Sequence, residues 1–115
     1  MSPSVIVVIR QDPRKTHRPV EALRIALGLS TGENPLKVVL LGEAPLLLAE
    51  EPGDDIVDVE ILEKYLPSLK HLEIPFLVPV GSITRFGMDS DFCLTESSLE
   101  AIRSSVVASD RVLVF

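Results

Sequence analysis

Apolar residues in this chain fall into runs without alternation. "SVIVVI" (Ser4–Ile9), "LKVVLLG" (Leu36–Gly42) and "PFLVPV" (Pro75–Val80) are three such runs, and "DRVLVF" (Asp110–Phe115) is a fourth. A strand with one face in water alternates apolar and polar positions. A continuous β-branched run predicts a strand covered on both faces, as in a parallel sheet. Pro79 stands near the end of its run, where a missing N–H is tolerable.

The intervening segments change period. In "VEALRIALGL", Leu23, Ala26, Leu27 and Ser30 recur at helical spacing, and Pro19 suits a first helical position with Thr16 or His17 as cap. Gly28 and Gly32 are expected to stop that helix in a left-handed turn. "EAPLLLAEEPGDD" predicts a short helix ended by Pro52 and Gly53. "VDVEILEKYLPSLKHL" predicts a longer one with Leu62, Tyr65, Leu66 and Leu69 on one stripe, and a kink or restart at Pro67. "TESSLEAIRSSVVAS" predicts a last helix capped by Thr95, with Glu96 favourably placed at its positive end.

Strands alternating with helices imply right-handed crossovers, so the expected fold is a three-layer α/β/α domain over residues 1–115 with a mostly parallel sheet of about five strands. In such sheets ligands approach the carboxyl ends of the strands. Function is therefore sought in the loops after Ile9, Gly42 and Val80, with Leu94 next.

Composition narrows the class. The 115 residues are 46% hydrophobic but only 4% aromatic with no Trp, so the core is aliphatic, and the mean hydropathy is positive. So much apolar surface in a short chain favours an oligomer. A formal charge of −6 argues against a general nucleic-acid binder, which needs a basic stripe. One Cys excludes an internal disulfide. The opening "MSPSVIVVIR" has too short an apolar run for a signal peptide, and no run reaches a membrane-spanning length. A cytoplasmic protein is the expectation, with no cofactor and no metal.

Candidate chemistry is sparse. Arg10, Arg14, Lys15 and Arg18 crowd the loop before the first helix, a conceivable anion or nucleotide site, although no glycine-rich phosphate signature accompanies them and a solvated basic loop is the plainer reading. His17 is the best-placed general acid or base, without an evident carboxylate partner. His71 fits a helix end as a dipole partner. Cys93 precedes the expected last helix, where the dipole stabilises a thiolate; a small buried hydrophobe is the competing reading. The acidic run Glu50, Glu51, Asp54, Asp55, Asp58, Glu60 matches no calcium-loop spacing and reads as a charged exposed face.

Over nearly its whole length the chain resembles the DsrE/DsrF-like superfamily, which includes the TusB, TusC and TusD sulfur-relay proteins. The resemblance rests on "EALRIALGL", "KVVLLGEAPLLL", "LEKYLPSLKHLEIPFLVPV" and "ASDRVLVF". It implies a small α/β domain that assembles into oligomers, with itself or with related DsrE-like subunits. In the DsrE and TusD branch a cysteine at the end of strand three carries a persulfide, and here Gly81 or Ser82 stands at that place. "GSITRFGM" is similar to the DsrF and TusC pattern, whose members accompany the catalytic subunit. The resemblance thus implies a non-catalytic assembly or ligand-binding subunit, with Ser82 and Arg85 left to hold a small anion. The alternatives are a sulfur carrier using Cys93 and an anion binder at Arg14, His17 and Arg18.

Overall fold

The structure is a computed structural model that describes residues 3–51 and 53–115. Its five strands are β1 (Val5–Ile9), β2 (Leu36–Leu40), β3 (Phe76–Pro79), β4 (Leu94–Ser97) and β5 (Arg111–Val114). They lie in the order β4-β3-β2-β1-β5, and every pairing is parallel. The interior strand β1, between β2 and β5, is buried at all five positions, as its unbroken apolar run predicts. The expected parallel α/β architecture is therefore the one observed.

Four helices and one 3-10 segment cover the sheet unevenly. Helix α1 (Arg18–Ser30), helix α2 (Val59–His71) and a 3-10 helix (Ala44–Leu48) pack on one face. There Val7, Leu23, Val38, Leu40, Leu62 and Phe76 join one large core, with the Phe92 ring edge-on to Phe76 at 6.1 Å. Helix α4 (Leu99–Ala108) stands alone on the other face, where Ile102 meets Ile6, Val8 and Val39. Of the stripe expected on α2, Leu62 and Leu69 are buried and Tyr65 and Leu66 half-buried.

Several local expectations are corrected. Helix α1 begins one residue before Pro19; His17 makes no side-chain cap, and Thr16 Oγ1 instead accepts from the Arg18 N–H at 3.3 Å. Gly28 and Gly32 do not stop it by a left-handed turn, since the chain leaves through Thr31 in a right-handed conformation. The 3-10 helix ends at Leu48, well before Gly53, and Pro52 lies outside the described residues. Helix α2 runs through Pro67 without a restart.

The largest correction concerns the segment before α4. Thr95 and Glu96 belong to strand β4, and the cap is Ser98, whose Oγ accepts from the Ala101 N–H at 3.1 Å. β4 is an edge strand, with half of its backbone bonding capacity turned outward. A polar sequence is therefore compatible with it, and burial leaves no mark in the pattern. A further short helix, α3 (Ser82–Phe86), begins directly after β3 where the sequence suggests only a loop.

Candidate functional site

The carboxyl edge of the sheet is built by two left-handed glycines. Gly42 has φ +60° at the end of β2, and a Cβ there would come within 3.4 Å of the Arg10 carbonyl oxygen. Gly81 has φ +90° and turns the chain from β3 into α3. These positions suit glycine because a side chain is strained at such φ. Together they bring Glu43, Ser82 and Arg85 to the same rim as the loop after β1.

Charges on this rim are paired with one another. Arg85 Nη2 donates to Glu43 Oε1 at 3.0 Å, and Arg14 Nη2 lies 3.8 Å from Glu43 Oε2. Arg14 also grips Asp12 through Nε and Nη2, at 3.0 and 2.8 Å. That guanidinium lowers the Asp12 pKa to about 2, and Asp12 in turn pushes Arg14 upward. The Arg85 guanidinium also lies over the Phe86 ring, 4.6 Å from its centroid. Glu96, in β4, reaches across so that its Oε2 accepts from the Ile83 N–H at 3.0 Å. An amide at the start of α3 that an external anion would want is thus already engaged by the chain itself. Ser82 is buried, only 5% exposed.

The other candidates do not converge. His17 is exposed at the start of α1, and the Arg18 guanidinium lies 5.7 Å from the Phe115 ring centroid. Cys93 is exposed. Its carbonyl accepts from the Phe76 N–H at 2.9 Å, so it sits where β3 and β4 begin, at the opposite end of the strands from Ser82. The expected helix start is not beside it, because β4 separates Cys93 from α4. Near that end Lys70 pairs with Asp89 at 2.8 Å and lies over the Phe92 ring, which lowers the Asp89 pKa and raises that of Lys70. Among the described residues no three His, Cys, Asp or Glu are grouped to hold a metal ion.

Sequence reasoning missed Glu43, Asp12 and Glu96. Glu43 had a usable signal, since it follows the glycine that ends an unbroken strand. Glu96 had none, because its role depends on β4 pairing with β3.

The model of the DsrE/DsrF-like family matches residues 4–115. Among solved structures, the crystal structure of the ychN protein from E. coli is similar with a TM-score of 0.74, at 18% sequence identity, over 100% of both chains. At that identity the likeness speaks for the fold. No curated protein matches the chain. Among the described residues no helix is long and apolar enough to cross a membrane.

Proposed function

The chain belongs to the DsrE/DsrF-like family, and from that premise we propose that it is a non-catalytic subunit associated with sulfur relay, acting through assembly rather than by carrying sulfur itself. The observation that carries this reading is the rim after β3. The resemblance puts Gly81 or Ser82 where carriers of the family hold their cysteine, and the adjoining charges are satisfied internally. A site whose Arg14 and Arg85 are already held by Asp12 and Glu43 must break those pairs before it binds an anion. Assembly is therefore favoured over small-ligand binding at Ser82 and Arg85.

Size-exclusion chromatography with light scattering tests the proposal; self-association, or association with a related DsrE-like subunit, is expected. A second reading has one observation in its favour, the exposure of Cys93. Incubation with a persulfide donor followed by mass spectrometry separates the two. Sulfur loaded onto Cys93 and passed to an acceptor thiol would replace the non-catalytic reading with a carrier. A rise in melting temperature with phosphate or nucleotides, lost in Arg14→Ala and Arg18→Ala, would favour the loop at Arg14, His17 and Arg18 instead.

A further inference from the structure

The face of the sheet beneath α4 is incompletely covered. Strand register sets Val112 beside Ile6 and Val114 beside Val8, so all four point to the α4 side; yet Val112 and Val114 are 41% and 48% exposed. On α4 itself, Leu99 and Val107 are 68% and 77% exposed. Positions 99, 100, 103, 104 and 107 fall on one side of the helix, the spacing of a stripe that packs against a second helix.

Charge indicates what covers this surface. The chain carries −6, so two copies repel unless they meet through a neutral region. Segment 50–60 holds six carboxylates and no Lys or Arg, whereas from residue 98 onward Glu100, Arg103, Asp110 and Arg111 cancel. Neither Glu100 nor Arg103 has an ion-pair partner among the described residues of its own chain. One acid and one base, three positions apart and both unpaired, form a self-complementary set. A two-fold axis through an antiparallel helix pair sets each against the other.

We propose that the outer side of α4 forms an isologous contact between two copies of this chain, the Leu99–Ser104 stretches antiparallel, with Glu100 of each copy opposite Arg103 of the other. The alignment that sets position 100 against 103 also sets Leu99 against Ser104, a large side chain over a small one. The contact rests on the assembly reading and names its surface and partner.

The test is sedimentation velocity on the full chain and on Glu100→Arg, Arg103→Glu and the double variant. Both residues are exposed, so the variants keep the fold, which an unchanged melting temperature verifies. Each single change places like charges face to face and weakens self-association at least about tenfold. The double change restores it, and a mixture of the two single variants associates more tightly than either alone. If all four proteins associate equally, this surface is wrong and the assembly reading stands. If assembly occurs only with a related DsrE-like subunit, a second copy is the wrong occupant. A chain that stays monomeric at every concentration, alone and with such a subunit, overturns both.

Discussion

The two faces of the sheet solve the same problem with unequal means. On the α1 side, two long helices, the 3-10 helix and α3 close over a core that reaches from Val7 to Phe92. On the α4 side, one ten-residue helix contributes Ile102 to a small buried cluster with Ile6, Val8 and Val39. β1 feeds both faces from an unbroken apolar run, and β2 does so from Val38 to Leu40. The α4 side is the less apolar of the two, since Lys37 of β2 stands there in register with Ile6, and less helix is laid over it. Stability is concentrated on one face, and the other retains apolar surface that a monomer leaves in water.

Four measurements sharpen or break that contrast. The largest effect is expected from Phe76→Ala, which empties a fully buried site against Phe92 on the thick face and costs about 3–5 kcal/mol in urea unfolding. Ile102→Ala removes the one buried side chain of α4; because its surroundings are thin and free to close in, about 2 kcal/mol is expected, the low end for such truncations. An Ile102 cost equal to that of Phe76 would show the faces to be energetically equivalent. Ser98→Ala deletes the α4 cap and costs about 1 kcal/mol, with faster amide exchange at Ala101 as its local signature.

The smallest effect comes from pH. Asp12 has its folded pKa lowered to about 2 by Arg14, below the ordinary value of 3.8. A depressed folded pKa contributes stability that is present above the unfolded value and is lost as pH falls from about 4 towards 2. Asp12→Asn should flatten that part of the acid unfolding profile by at most about 1 kcal/mol, since the pair is solvent-screened. Asp89, held low by Lys70, acts in the same direction, so a residual slope in Asp12→Asn is expected from it.

Which parts of this were legible in the sequence follows from burial. β1, β2 and β3 carry strong apolar signals because most of their positions are buried, β1 on both sides throughout, and parallel pairing followed directly. α1 and α2 were visible through their buried stripes. β4 was invisible because an edge strand of Leu94, Thr95, Glu96 and Ser97 tolerates polar residues, and its "TESS" reads equally well as a helix cap. α3 was missed because five residues are too few to show a period, and its start depends on the conformation of Gly81. At the rim, Ser82 and Arg85 were found from their place after β3. Glu43, the partner of Arg85, and Glu96, which accepts from the Ile83 N–H, were not, because tertiary pairing alone joins positions 42 and 13 residues apart.

The reach of Glu96 across to Ile83 bears on any attempt to convert this chain into a thiol enzyme by one substitution. Ser82→Cys would put sulfur at the start of α3, but the new side chain would be enclosed, beside the Ile83 amide that a carboxylate already holds. Both influences favour the protonated, inert thiol over the nucleophilic thiolate. Gain of reactivity would require clearing that acid as well, a second position that lies on strand β4.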